Sequence, residues 1–283
     1  MILAKCQLTS DIFCFAGNLF SKKSRFFRLC NFIKGTQFAF LALLLLNATP
    51  NFASDEAISF KAHADKFAKI LVQTDSRIAP ASSYTRAVLS KISTKTTLFG
   101  LSSDELMLSF AISPQEWMDK KIVKITSERV GELLGVSEKF ASFNDVFNEN
   151  GEYKLGKFVE AANEKSASKR DKFDSDVIKF DERLNVLYLA LKGEILKFIP
   201  AKNGDTITWL GVNEAFSKDE ISNEFKSVLG AYIENLSLCV KSGACKEADK
   251  SLEQISGYQR STLGSLAPSE AKVSLELLYN QME

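Results

Sequence analysis

The clearest alternation of apolar and polar positions lies in Asp174–Phe198. Apolar residues recur there every three or four positions, while Asp181, Glu182 and Lys192 fall between them. That spacing puts the apolar side chains on one face of a helix, so the segment predicts a long amphipathic helix. The predicted stripe is Val177, Phe180, Leu184, Leu187, Leu191 and Ile195.

Further helices are predicted on both sides of this segment. Ser217 with Glu220 is typical of a capped helix start, and Gly243 marks the expected end of that helix. Its predicted stripe is Ile221, Phe225, Val228, Tyr232, Leu236 and Cys239. The remaining helices are expected at Tyr84–Ile92, Lys246–Gln259 and Ser269–Gln281, with Ala161–Arg170 as a solvated link or exposed helix.

Local signals add helix starts and a few strands. Ser102 with Glu105 forms a capping box, and Ser113 before a proline predicts a second start. Strands are expected at Lys69–Gln73, Arg77–Pro80 and Lys121–Thr126. The fold class is therefore mainly α with a few short strands (α+β).

The N-terminal region has the pattern of an export signal. Residues 1–36 carry six basic residues and a single acid, and the apolar run Phe38–Leu46 follows. This order is typical of a signal peptide or signal anchor, with cleavage after Ala53 as one alternative. The positive-inside rule predicts a cytoplasmic segment 1–36, an apolar signal or anchor segment 37–54, and a helix-rich periplasmic domain 55–283. The expected location is thus the inner membrane, with the main domain in the periplasm.

Charge and cysteine usage fit an exported interaction domain. Lysine and arginine number 36 against 35 acidic residues, which gives no electrostatic reason to expect nucleic acid as a partner. Cys239 and Cys245 are the two cysteines after the apolar run, and a disulfide between them is predicted. The alternative is a pair of unlinked, half-buried thiols.

Candidate chemistry is sparse. His63 is the single histidine, so zinc sites built from several histidines are excluded. His63 is either an axial haem ligand or, as we expect, a surface residue at the start of a Phe60–Phe67 helix. The pairs Asp104–Glu105 and Asp181–Glu182 are interpreted as helix caps and solvated faces, and Trp117 and Trp209 as core or interface aromatics. No catalytic residue and no metal ligand is predicted.

The segment FASFNDVFNENGEYKL, Phe140–Leu155, superficially looks like a calcium loop. Aligning Gly151 with the sixth position of an EF-hand puts Val146 at the first position and Lys157 at the twelfth. Both anchoring carboxylates are then missing, so we interpret Asn150-Gly151 as a turn before a helix near Leu155.

Several longer phrases occur in a distinctive order. They are HADKFAKILVQTDSRIAP (63–80), VLSKISTKTTLFGLSSDELMLSFAISPQEW (88–117), LLGVSEKFASFNDVFNENGEYKL (133–155), KRDKFDSDVIKFDERLNVLYLALKGEILKFIP (169–200), GYQR (257–260) and LAPSEAKVSLELLYN (266–280). Together they resemble the periplasmic segment of the fused ResB–CcsA type cytochrome c biogenesis proteins, the system II cytochrome c synthetases. The resemblance covers nearly all of residues 60–280.

That resemblance implies a role in haem export and cytochrome c–haem ligation. In the complete family protein, haem is held by membrane-associated histidines and a tryptophan-rich motif, neither of which this chain contains. We therefore expect a truncated or split product that binds no cofactor and is not an enzyme by itself. Its partners would be the remaining membrane part of the synthetase, apocytochrome c and the inner membrane, with a scaffolding or apocytochrome-docking role. The alternative is a free-standing, membrane-tethered periplasmic binding protein.

Overall fold

The computed structural model describes residues 60–74 and 77–282. The predicted segments 1–36 and 37–54 lie outside the described residues. Within the described ranges no helix combines the length and the apolar character that crossing a bilayer requires. Apart from Phe147–Lys154, the described residues belong to one compact unit.

Helices make up most of this unit, as predicted. They are α1 (Lys61–Phe67), α2 (Ala81–Ser93), α3 (Ser103–Ile112), α4 (Pro114–Trp117), α5 (Glu128–Leu134), α6 (Gly156–Glu164), α7 (Lys172–Leu191), α8 (Val212–Ser217), α9 (Asn223–Ser242), α10 (Lys246–Leu263) and α11 (Glu270–Met282). Short 3₁₀ turns lie at Asn144–Val146, Ala167–Lys169 and Gly264–Leu266.

Within residues 60–74 and 77–282, the strands form four separate antiparallel pairs. They are β1 (Leu71–Gln73) with β2 (Ile78–Pro80), β3 (Thr97–Leu98) with β4 (Leu101–Ser102), β5 (Val123–Lys124) with β6 (Phe140–Ala141), and β7 (Ile199–Asn203) with β8 (Thr206–Leu210). In the first pair Leu71 lies opposite Pro80. In the last pair Ile199 lies opposite Leu210. The predicted α+β class, mainly helical with short strands, is confirmed for the described residues.

Helix α7 confirms the amphipathic stripe but is shorter than predicted. Asp171 caps its start, because the Asp171 carboxylate accepts from the backbone N–H of Asp174 at 2.7 Å. The stripe residues from Val177 to Leu191 are buried. The helix ends at Leu191, and Gly193 adopts φ +68°, a conformation that favours glycine and stops the helix. The predicted extension to Phe198 is therefore wrong, and Ile195 lies outside the helix.

Helix α9 begins later than predicted. Ser217 is the last residue of α8, whereas the hydroxyl of Ser222 caps α9 by accepting from the N–H of Phe225 at 3.2 Å. Ile221 is nonetheless buried in the link between the two helices. Gly243 ends α9 in the left-handed conformation, as predicted.

Two of the other local predictions need correction. Ser102 and Glu105 form the expected capping box of α3. Ser113 makes no capping hydrogen bond, and α4 extends for only four residues. The strand expected at Lys121–Thr126 is reduced to Val123–Lys124.

Helix α3 lies in the main core. Eight consecutive residues, Ser103–Phe110, are buried, so the helix is covered on all sides rather than along one stripe. It packs against α1, α2, α7 and α9. A smaller apolar cluster joins β1 and β8 to helices α10 and α11. It comprises Leu71, Trp209, Leu263 and Val273.

The segment Phe147–Lys154 forms the predicted turn. The side-chain oxygen of Asn148 accepts from the N–H groups of Asn150 and Glu152, at 3.0 and 2.9 Å. Phe147 and Tyr153 pair across the turn, and Gly151 has φ +80°. The polar side chain of Asn148 is thus used to hold the backbone.

Candidate functional site

His63 is buried, with no exposed surface. It lies on α1 on the same face as Ala64 and Phe67, which are also buried, and α1 packs against α3 and α10. The prediction of a surface histidine is therefore wrong. The seven-residue helix is too short to show a periodicity that would have identified its buried face.

Both ring nitrogens of His63 have partners from the C-terminal helices. Nδ1 lies 2.7 Å from a carboxylate oxygen of Asp249 on α10, and Nε2 lies 3.2 Å from the hydroxyl of Tyr232 on α9. Lys66 donates to the second oxygen of Asp249 at 2.7 Å. These distances fit a neutral imidazole that donates from Nδ1 to Asp249 and accepts at Nε2 from the tyrosine hydroxyl.

Burial sets the charge state of this cluster. It lowers the pKa of His63 below 6.5, against the opposing effect of the Asp249 carboxylate. Burial also acts to raise the pKa of Asp249, but hydrogen bonds from Lys66 and His63 outweigh it and hold that pKa below 3.8. The pKa of Tyr232 is raised, mainly by burial. The cluster at neutral pH is a neutral histidine, an anionic aspartate and a neutral tyrosine.

This geometry does not offer His63 to a haem iron. An axial ligand needs a ring nitrogen with a free lone pair facing the iron. Here Nε2 is enclosed and contacts Tyr232, while Nδ1 contacts Asp249. Coordination through either nitrogen would require breaking one of these hydrogen bonds and opening the packing between α1, α9 and α10.

A second buried polar cluster surrounds Asp104 on α3. Its carboxylate lies 2.6 Å from the hydroxyl of Thr85, which is itself 3.1 Å from the hydroxyl of Ser103. Burial raises the pKa of Asp104 to about 6, although hydrogen bonds from Thr85 and Ser82 act in the other direction. Asp104 and Glu105 are both buried, so their interpretation as a solvated face is wrong, while the capping role of Glu105 is confirmed.

Gln259 is a third buried polar residue, and residue-level sequence reasoning did not single it out. Its amide nitrogen donates to the carbonyl oxygens of Leu71 and Phe198, at 2.7 and 2.6 Å. Its amide oxygen accepts from the N–H of Leu71 at 3.0 Å. It therefore joins α10 to β1 and to the segment before β7. In the sequence, Gln259 belongs to the phrase GYQR (257–260), which is one of the phrases that carry the family resemblance.

An open groove of about 520 Å³ lies beside this junction. Its floor includes Trp209 and Leu263, which are buried, and its exposed polar side chains include Gln73, Lys197 and Thr208. Ile78, Ile207 and Leu266 complete the lining. We call this feature the Trp209 groove. It offers an apolar surface with a polar edge, which suits a segment of another polypeptide better than a reactive small molecule.

The other predicted residues have mainly structural positions. Cys239 and Cys245 are joined by a disulfide between the end of α9 and the start of α10. Trp117 is half-buried and contacts the rings of Phe110 and Phe99. Glu182 forms an exposed ion pair with Lys91. Among residues 60–74 and 77–282, no group of three or more histidine, cysteine or acidic side chains is arranged to hold a metal ion.

In the part of the chain that the structure describes, the fold and these sites define a helix-rich domain in which buried polar side chains join distant segments beside the open Trp209 groove. The chain is similar to Protein NrfI of Wolinella succinogenes, with 31% identity over 219 residues. This match covers 77% of the chain but 24% of NrfI, so the chain spans about a quarter of that relative. No protein-family model matches the chain. The similarity to NrfI supports the cytochrome c biogenesis family that the sequence phrases indicate.

Proposed function

We propose that this chain acts in cytochrome c biogenesis as a membrane-tethered periplasmic domain that docks apocytochrome c or scaffolds the haem-handling membrane machinery. The observation that carries the proposal is the 31% identity to NrfI across 219 residues. The ordered phrases of the ResB–CcsA resemblance support the same role. We assign haem transfer and thioether formation to the membrane part that the ResB–CcsA resemblance implies rather than to this domain.

The Trp209 groove is the surface that suits docking best. Leu266, which is 64% exposed, and the half-buried Ile78 and Ile207 provide apolar contact area above the buried floor of Trp209 and Leu263, and apolar side chains are favoured at the centres of protein interfaces. Gln73 and Lys197 lie at the edge. Gln73 donates to the carbonyl of Thr74 and Lys197 to the carboxylate of Glu214, and each retains further N–H groups that a peptide backbone can accept from. An extended segment of an unfolded apocytochrome matches these features, because it exposes both backbone carbonyls and apolar side chains.

The cellular role is tested by deleting the coding region in the native host and staining its proteins for covalently bound haem. We expect loss of covalent haem from c-type cytochromes and recovery when the gene is returned. Unchanged cytochrome c staining in the deletion strain would contradict a role in cytochrome c biogenesis.

Docking is tested by titrating the purified full-length chain with an apocytochrome c peptide containing the C-x-x-C-H haem-attachment motif. The Gln73→Arg substitution places a bulky side chain at the groove edge and should weaken peptide binding at least tenfold. Gln115→Arg is the matched control, since Gln115 is exposed on α4 and is not among the groove residues. If both variants weaken peptide binding equally, or if neither weakens it, the Trp209 groove is not the docking surface.

The free-standing binding protein remains the alternative, and genomic context distinguishes the two. An adjacent reading frame that encodes membrane helices and a tryptophan-rich motif would favour the synthetase role. Unrelated neighbouring genes, together with normal cytochrome c maturation after deletion, would favour the free-standing protein.

A further inference from the structure

Helix α11 has apolar residues on two opposite faces. Val273 is 3% exposed and packs into the cluster around Trp209. On the other side, Leu275, Leu278 and Met282 are 66%, 54% and 73% exposed. Helices that are apolar on two faces are usually covered on both. The second face of α11 is therefore a candidate interaction surface.

The inner face of α11 is firmly attached. Glu276 accepts two hydrogen bonds from the guanidinium of Arg77, at 2.8 and 2.6 Å, and a further one from the hydroxyl of Ser83. Asn280 donates to the same Ser83 hydroxyl at 2.9 Å. Bidentate arginine–carboxylate pairs fix orientation well. These contacts hold the helix in one orientation, so its outer residues are presented as a defined surface.

The outer residues have the spacing of a coiled-coil seam. Ala271, Leu275, Leu278 and Met282 are separated by four, three and four positions, and all four are exposed. We call this set the outer stripe. This alternation of four and three is the heptad spacing by which two helices pack their side chains into one another. The pattern therefore favours a second helix as the occupant.

We propose that the outer stripe pairs, in antiparallel orientation, with the outer stripe of a second copy of this chain. The sequence of the stripe is complementary to itself in that orientation. Leu275 of each copy then lies opposite Leu278 of the other, and the small Ala271 lies opposite the large Met282. Such a two-fold interface uses the same surface on both copies.

Side-chain size selects antiparallel over parallel pairing. In a parallel pair, the two Ala271 side chains would meet and leave a gap. In the antiparallel pair, the exposed Met282 of the other copy fills the space beside Ala271. The opposed helix dipoles add a further favourable contribution.

The extent of the stripe sets the expected strength. The three large side chains and their surroundings expose on the order of 400 Å² of apolar surface per copy, near the size of the largest patches on ordinary monomers. Two copies together then reach only the lower end of specific interfaces, about 1,200 Å² with a polar rim. We therefore expect a reversible dimer with a dissociation constant in the micromolar range.

Sedimentation velocity of the purified full-length chain, from low micromolar to several hundred micromolar, tests the proposal. We expect a concentration-dependent shift from monomer to dimer. Leu275→Glu and Leu278→Glu should each weaken dimerisation at least tenfold. Leu238→Glu is the matched control, because Leu238 is 58% exposed on α9 and lies outside the outer stripe.

Orientation is tested by mixing Leu275→Lys chains with Leu278→Glu chains. Antiparallel pairing places the introduced lysine opposite the introduced glutamate, so the mixture should dimerise more strongly than either variant alone. A chain that is monomeric throughout, or whose dimer is insensitive to Leu275→Glu, would overturn the proposal. Binding of the monomer to lipid vesicles that Leu275→Glu abolishes would overturn it as well and assign the stripe to a membrane surface. None of these outcomes depends on the cytochrome c role.

Discussion

His63 and Gln259 solve the same structural problem with different chemistry. Each is buried, and each joins the N-terminal part of the domain to the C-terminal helices. The His63–Asp249 contact spans 186 positions of the sequence, and the Gln259–Leu71 contact spans 188. One junction uses an ionisable pair and the other an uncharged amide.

The difference lies in how each junction responds to the solvent. The amide of Gln259 has no proton to gain or lose near neutral pH, so its three hydrogen bonds persist across the physiological range. His63 must remain neutral to fit its site, because burial lowers its pKa. The domain therefore has one junction that is independent of pH and one that weakens in acid.

Replacing Gln259 should produce the largest effect. Gln259→Leu leaves the buried N–H and C=O of Leu71 and the C=O of Phe198 without their side-chain partner. Unsatisfied buried polar groups cost about 1–3 kcal/mol each, so we expect a loss of at least ~3 kcal/mol in the free energy of unfolding. Urea denaturation measures it, with Gln254→Leu on the exposed side of α10 as control. Equal stability of the two variants would show that the Gln259 junction contributes little.

The effect of His63 should depend on pH. Between the lowered native pKa and the unfolded value near 6.5, the unfolded chain binds a proton that the native chain does not. The free energy of unfolding should therefore rise with pH through this window. The contribution of His63 should be fully present above pH 6.5 and should be lost as the solution is acidified. His63→Gln should lower stability at pH 7.5 by about 1–3 kcal/mol and remove this dependence.

Asp104 provides an internal check on that experiment. Its native pKa of about 6 lies above its ordinary value of 3.8, so stability contributed by Asp104 falls as pH rises between these values. The sign is opposite to that of His63. The His63→Gln protein should retain the Asp104 dependence, and the difference between the two unfolding curves should isolate His63. A difference that does not vary between pH 5 and 7 would contradict the assignment.

The disulfide should matter less and should leave the pH dependence intact. Cys239 and Cys245 are six positions apart and join the two helices that carry Tyr232 and Asp249. A loop of this size predicts a contribution of about 2 kcal/mol from restricting the unfolded chain. The free energy of unfolding of the Cys239→Ser, Cys245→Ser double variant, measured by urea denaturation, should be lower by that amount. Its loss of stability in acid should be the same as in the unmodified chain. Loss of the acid sensitivity would mean that the disulfide positions the His63 site.

Lys66 should have the smallest effect. Its side chain is 49% exposed, and exposed ion pairs such as the one with Asp249 contribute about 0.2–1 kcal/mol. Lys66→Ala should lower stability slightly more than Lys61→Ala, because Lys61 contacts Asp65 at 3.8 Å on the surface. Thermal melts in low and high salt measure both effects, and the Lys66 effect should shrink with salt. A loss above ~2 kcal/mol would mean that Asp249 depends on Lys66 more than the geometry implies.

The features that could be predicted from the sequence are those that depend on residues close together along the chain. The stripe of α7, the capping box at Ser102 and the glycine end of α9 follow from spacing and turn chemistry, and each is confirmed. The polar junctions were not predictable in this way. Whether His63 is buried depends on α9 and α10, which lie about 170–190 positions away. No local pattern contains that information, and the same holds for Asp104 and Gln259.

The distance along the chain between joined segments also constrains the order of folding. His63 and Leu71 find their polar partners on α9 and α10, so an N-terminal portion that is synthesised first cannot complete this core alone. Contacts between residues so far apart slow folding, because a long loop must close before they form. A chain stopped at Cys245 should remain open to proteases at α1 and β1, whereas one extended to Leu263 should protect them. The domain then closes only after its last third has arrived, and until that moment its first helices need protection from aggregation or degradation.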